Sequence, residues 1–216
     1  IISVLIIAYI LSKFKQIPSE FIRKFIHILV SNWWFIYAKY FTDTLHSVIV
    51  PITFVFANAI ATFTNFTDKL RLTERTRNYG LIYFPVSLTI LCILCNSYHV
   101  IPKYSVGIGI LTMGYGDGLA AIIGKKYGKN KLTFVTGSKS VEGSLVMMII
   151  TFFVILSFVH YYGIEPFSIN SSLKLDVLLK ISVLSFIIAA TEAATPKGFD
   201  NITVPIFSAF LSYYVL

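Results

Sequence analysis

Residues 105–126 read SVGIGILTMGYGDGLAAIIGKK. From Ser105 to Ile123 the run holds one charged side chain, Asp117, and it then meets Lys125 and Lys126. Its length approaches the roughly 20 residues that carry a helix across a bilayer core. Hydrocarbon offers backbone amides no partner, so a helix is the economical conformation for such a run. Working outward, further apolar runs lie near 1–12, 25–41, 45–66, 81–101, 141–162, 175–193 and 201–216. They are apolar all round, unlike the striped helices of a soluble bundle. The expected fold is all-α: a multi-pass transmembrane helical bundle of about eight spans, forming one integral membrane domain over 1–216. The first run is short and begins at Ile1, so the true N-terminus is expected to be trimmed or missing.

Composition agrees. Hydrophobic residues make up 56% of the 216 and charged residues 13%, against about 25% charged in soluble domains. The formal charge of +8 invites a nucleic-acid reading, but the cations follow topology instead. The loops after the first, third, fifth and seventh runs hold Lys13, Lys15, Arg23, Lys24, Lys69, Arg71, Arg75, Arg77, Lys125, Lys126, Lys129, Lys131, Lys139 and Lys197. The other loops hold Lys39, Lys103 and Lys174. The positive-inside rule assigns the first set to the cytoplasm and both termini to the outside. Trp33, Trp34, Tyr37, Tyr40, Tyr161, Tyr162, Tyr213 and Tyr214 suit an aromatic belt at the outer interface. Cys92 and Cys95 have no second ligand pair, so they are expected to be inert buried thiols rather than a redox or zinc site.

The acids are placed unusually. Asp117 lies about seven residues inside its span, roughly 11 Å at helical rise. Glu142 opens the next span, Glu192 ends the seventh and Asp200 precedes the eighth. A carboxylate at membrane depth is costly and marks function by default. Gly114, Gly116 and Gly118 around Asp117 are expected to interrupt the helix, and exposed amides beside a helix start suit phosphate. The alternative is a glycine-lined helix contact with Asp117 paired to a lysine. Lys139 and Glu142 suit a phosphate-binding lysine and a metal-binding acid, or a surface ion pair with Ser138 or Ser140 as cap. Glu192, Asp200 and Asn201 are hard oxygen donors of the kind Mg²⁺ takes. Asp200 or Asn201 also suits a helix cap. Arg23 and His27 share a helix face at i and i+4. His27 suits a proton acceptor or a structural hydrogen-bonder, and Arg75 and Arg77 suit anion binding or topology anchoring. The stretch 124–140, with an apolar patch from Leu132 to Val135, is expected to form a small hairpin over the cytoplasmic mouth.

Three stretches together resemble a known family: Met113–Lys129 with its Gly-Asp-Gly centre, Gly137-Ser-Lys-Ser-Val-Glu-Gly-Ser144, and Asp200-Asn-Ile-Thr-Val-Pro205. They look like the CTP-dependent lipid-alcohol kinases, which include phytol kinase, dolichol kinase and the yeast-type diacylglycerol kinase. Arg23-Lys-x-x-His27 and Arg77-Asn-Tyr-Gly-x-x-Tyr83 add to the likeness. CDP-diacylglycerol synthase is distantly similar, but its longer acidic end motif is missing here. The resemblance implies CTP as phosphate donor and Mg²⁺ as cofactor. No Gly-x-x-x-x-Gly-Lys-Ser/Thr loop is present, and phosphoryl transfer asks mainly for metals, cations and in-line positioning.

The expected roles follow. Asp117, Glu142, Asp200 and Glu192, with Asn201, hold the metal. Lys139, Lys125, Lys126, Lys131, Arg23, Arg77, Ser140 and the Gly114–Gly118 backbone hold the nucleotide. His27 or an acid takes the proton of a membrane lipid alcohol that enters sideways between helices. The acceptor is phytol, polyprenol, dolichol or diacylglycerol; no nucleic acid is expected, and the oligomeric state is open, a homodimer included. Two rivals remain: cytidylyl transfer to a phospholipid, and a transporter, whose polar residues should sit near mid-membrane.

Overall fold

The computed structural model describes residues 2–14, 16–64, 79–132, 139–164, 175–196 and 198–216. Arg75, Arg77, Lys197 and Ser138, like most of the 132–135 patch, lie outside the described residues. The helices in chain order are α1 (Ile2–Lys13), α2 (Ser19–Ser31), α3 (Trp33–Tyr40), α4 (Thr44–Phe63), α5 (Gly80–Asn96) and α6 (Lys103–Leu111). A π-helix (Thr112–Asp117) follows, then α7 (Gly118–Tyr127), α8 (Val141–Tyr162), α9 (Leu175–Ala194) and α10 (Asp200–Val215). Among the described residues the only extended pairing is one antiparallel bridge, Lys131 to Ser140, so the segment expected as a hairpin over 124–140 begins as the last turn of α7 and is paired only at 131 and 140.

The protein is an all-α membrane helical bundle. Thr44–Phe63, Lys103–Tyr127, Val141–Tyr162 and Leu175–Ala194 are long and apolar enough to cross a bilayer, and Gly80–Asn96 is apolar but shorter. The expected 25–41 span is instead two helices broken at Asn32, whose side-chain amide turns back to donate to the Ile28 carbonyl (2.8 Å). Outward faces are greasy at helical spacing. Leu145, Ile149 and Phe153 on α8, and Leu175, Leu179, Val183 and Phe186 on α9, are all exposed. Contiguous apolar surface of that extent is costly in water and natural against lipid.

Lys103–Tyr127 is the central rod, with 72% of its most apolar stretch buried against 17% for α4. Small residues let its neighbours approach. A Cβ on Gly109 would fall 2.3 Å from the Pro205 carbonyl oxygen of α10, and one on Gly107 would strike Phe158 and Trp34. Buried Ser105, Thr112, Thr151, Ser185, Ser208 and Ser212 line the same interior. Small and hydroxyl residues at helix contacts are how membrane helices associate without a hydrophobic drive between them. Phe84, Leu88, Leu91, Ile108, Ile110, Met113, Met147, Ile155 and Ile181 fill the rest of the core. Cys92 and Cys95 are buried free thiols within it.

Substituting Gly109 by valine should force α6 and α10 apart. An overpacking cost of about 1–3 kcal/mol is expected, read as a lowered unfolding midpoint in detergent.

Candidate functional site

Several helices converge at one end of the bundle. One face of α2, the starts of α5, α8 and α10, the end of the π-helix with much of α7, and the end of α9 meet around a cavity of about 300 Å³. Burial of charge distinguishes this end. Arg23, Lys24, His27, Asp117, Glu192, Asp200 and Asn201 are all at most 6% exposed.

Helix α2 supplies one wall. Glu20, Arg23, Lys24 and His27 fall at i, i+3, i+4 and i+7, one stripe of a helix, and all four line the cavity. Lys24 Nζ donates to Asp117 Oδ2 in a buried ion pair. Glu20 bridges Arg23 (3.6 Å) and Lys125 of α7 (3.0 Å). The His27 ring stacks on Phe84 with centroids 5.2 Å apart, and its Nδ1 is buried without a hydrogen-bond partner.

The opposite wall is acidic. Glu192 ends α9 and Asp200 begins α10. Asp200 Oδ1 accepts from the amides of Gly198 (3.1 Å) and Asn201 (3.0 Å) and from Asn201 Nδ2 (2.9 Å). These bonds fix Asp200 with Oδ2 turned toward Lys139. Lys139 Nζ lies 2.7 Å from Glu192 Oε1 and 3.6 Å from Asp200 Oδ2. It also donates to the Thr195 carbonyl (3.0 Å) and the Glu192 carbonyl.

Asp117, Glu192 and Asp200 each offer an oxygen within 4.8 Å of the others. Two carboxylates at that separation repel by roughly 3 kcal/mol at an effective dielectric of 20. Such a trio demands cations, and the two lysines answer that demand here. The donor set also fits a hard divalent ion: carboxylate oxygens, with the buried and unpartnered Oδ1 of Asn201 beside them.

The structure therefore gathers Asp117, Glu192, Asp200, Asn201, Lys139, Arg23, His27, Lys125, Lys131 and Ser140 around one cavity. Ser140 doubles as the N-cap of α8, accepting from the Gly143 amide (3.2 Å).

Other expectations need correction. Glu142, expected as a metal ligand beside Asp117, does not line the cavity. Its carboxylate accepts from the amides of Lys129 (3.1 Å) and Asn130 (3.2 Å) and from Asn130 Nδ2 (3.0 Å), tying down the loop after α7. The physical reason is that Lys139 precedes the helix while Glu142 lies in its first turn, so spacing of three does not put them on one face. Gly114, Gly116 and Gly118 offer no open phosphate cradle. Cβ atoms there would meet Ser31 (2.2 Å), Met147 (2.6 Å) and Ile28 (2.9 Å), so they are close-contact positions in a helix that widens into a π-turn without breaking. Lys126 points away, its Nζ 5.1 Å above the Tyr127 ring. Sequence reasoning counted Lys24 only as a topological cation and gave Glu20 no role. The available signal was the four-residue polar stripe on α2, which the pair Arg23 and His27 only partly exposed.

The fold and site together define an integral-membrane helical protein with a buried carboxylate–lysine pocket at one end of its bundle. The chain is 27% identical to phytol kinase of Synechocystis sp. over 98% of this chain and 86% of that protein. It is 22% identical to the chloroplastic farnesol kinase of Arabidopsis thaliana over 90% of this chain and 65% of that protein. It is 30% identical to dolichol kinase of Saccharomyces cerevisiae, over 46% of this chain and 18% of that protein. No protein-family profile and no solved structure matches the chain. The chain is thus similar to proteins named phytol, farnesol and dolichol kinase.

Removing Lys24 while leaving Asp117 should strand a buried charge. Lys24→Met is expected to cost about 3–5 kcal/mol, whereas Lys24→Met with Asp117→Leu should recover most of it. Unfolding in detergent, followed by circular dichroism, measures both.

Proposed function

We propose that this chain is a CTP-dependent lipid-alcohol kinase that phosphorylates phytol, a polyprenol, dolichol or diacylglycerol. In this reading it is a multi-pass protein whose cavity opens to the cytoplasm. The observation that carries the proposal is the trio Asp117, Glu192 and Asp200, buried within 4.8 Å and flanked by Lys24 and Lys139. The relatives' names support a lipid-alcohol acceptor, and CTP is what the sequence resemblance implies. The distribution of Lys and Arg between loops supports the cytoplasmic orientation.

The trio, with Asn201, would hold Mg²⁺. When bound, Mg²⁺ supplies neutralising charge at the phosphates of the donor. Arg23, Lys125, Lys131 and Lys139 surround the same cavity and would bind the phosphate oxygens, with charge-assisted hydrogen bonds stronger than neutral ones. The acceptor's tail stays in hydrocarbon and its hydroxyl reaches the cavity. As the new O–P bond to the γ-phosphorus forms and the bond to the departing nucleoside diphosphate, CDP, breaks, the hydroxyl proton passes to His27. The place of His27 on the cavity wall supports this assignment. Phe84 holds the imidazole plane through stacking, which favours a fixed proton acceptor over a mobile one. Closure by protein and lipid limits the water that would otherwise consume the donor.

The test is purified protein in lipid nanodiscs with labelled CTP or ATP and a panel of lipid alcohols. A phosphorylated alcohol and CDP are expected; pyrophosphate release, meaning cytidylyl transfer, overturns the kinase reading. Asp117→Asn, Glu192→Gln and Asp200→Asn should each abolish turnover in folded protein, while Glu142→Gln keeps it. His27→Gln should lower kcat by about 10²- to 10⁴-fold, the usual worth of a general base. Near-normal turnover by His27→Gln would remove it from the reaction.

A further inference from the structure

Asp117 reaches the acid cluster from a helix that leaves the α-helical register just before it. Thr112–Asp117 is π-helical, and α6 and α7 flank it without a break. A π-turn closes i→i+5 bonds and takes in an extra residue. Every side chain beyond it is therefore rotated by about 100° relative to an uninterrupted α-helix. The π-form is rare and needs support from its surroundings.

That support comes from one face of α2. Lys24, Ile28, Ser31 and Asn32 fall at i, i+4, i+7 and i+8. Lys24 holds Asp117, Ile28 abuts Gly118, and Ser31 abuts Gly114. At the top of the row, Tyr115 Oη donates to Asn32 Oδ1 (2.9 Å). Asn32 cannot turn away, because its Nδ2 donates to the Ile28 carbonyl (2.8 Å) and its backbone forms the junction of α2 with α3. Neither Tyr115 nor Asn32 lines the cavity. Their bond joins the middle of the π-helix to a point the α2 side cannot readily shift.

We infer that Tyr115 and Asn32 are positioning residues for the carboxylate of Asp117. Their hydrogen bond holds the π-turn, and the π-turn aims Asp117 at Glu192 and Asp200. Without it the segment is free to relax toward α-helical register, swinging Asp117 out of the trio while the helix itself stays formed. This inference rests on the reading of the trio as a divalent-cation site.

The experiment measures Mn²⁺ binding to the full chain in nanodiscs by electron paramagnetic resonance, for the parent, Tyr115→Phe, Asn32→Leu, the double variant and Asp117→Asn. Circular dichroism and gel filtration check folding, and should Asn32→Leu fail to fold, Tyr115→Phe decides alone. The expected result is Mn²⁺ affinity about tenfold or more weaker in each single variant, the scale seen when a ligand's supporting bond is lost. The double variant should be no weaker than the singles. A tether that served only stability would lower the unfolding midpoint and leave Mn²⁺ affinity untouched, and that outcome, or additive losses, overturns the inference. A parent that binds no Mn²⁺ overturns the reading of the trio instead.

Discussion

The pairing of two lysines with three carboxylates inside a greasy bundle is the constraint on which the cavity end of this protein depends. Lys24 joins α2 to the central rod across 93 residues of chain. Lys139 joins the start of α8 to the end of α9 and the start of α10. Neither the acids nor the lysines are tolerable alone at this burial, since an isolated charge in a low-dielectric interior costs several kcal/mol. Helices α2, α9 and α10 and the end of the π-helix are therefore held in rotation by the charges they present to the cavity. The far end is held differently, by Trp34 packed on Phe158 and by Lys103 capping the Phe41 carbonyl at 2.6 Å.

Such pairing is weak as an argument for stability. Buried ion pairs seldom stabilise more than well-packed apolar side chains of the same size. An apolar end would have packed as tightly and at less risk. The concentration of buried charge at one end, with a cavity of about 300 Å³ between the walls, is better explained by what binds there. The arrangement also explains the placement of the acids along the spans. They stop at the depth of the cavity, and the helices beyond them are filled by Phe84, Leu88, Met113 and Ile155.

Two features link this chemistry to the backbone. Helix α2 breaks at Asn32, and the central rod widens into a π-turn at Thr112–Asp117. The two irregularities face each other, and the glycines at 114 and 118 let them approach. Irregular backbone at membrane depth survives where protein surrounds it, and here each irregular segment supplies the surroundings of the other.

Much of this was legible in the residues. Long apolar runs declared the helices, because lipid leaves the backbone one way to satisfy itself. Asp117, Glu192 and Asp200 were conspicuous because charge within or at the ends of such runs is costly and therefore informative. What local pattern could not reveal was rotation. Glu142 looked like a ligand and is a loop clamp, while Lys24 looked like a topological cation and is buried against Asp117. The three glycines read either as a phosphate cradle or as a helix contact beside an Asp117–lysine pair, and the second is what forms. Chain composition determines where a helix forms and which solvent it prefers, since both follow from transfer energies summed along the sequence. Which carboxylate faces which is decided only when helices dock, because one extra residue in a π-turn redirects every side chain that follows.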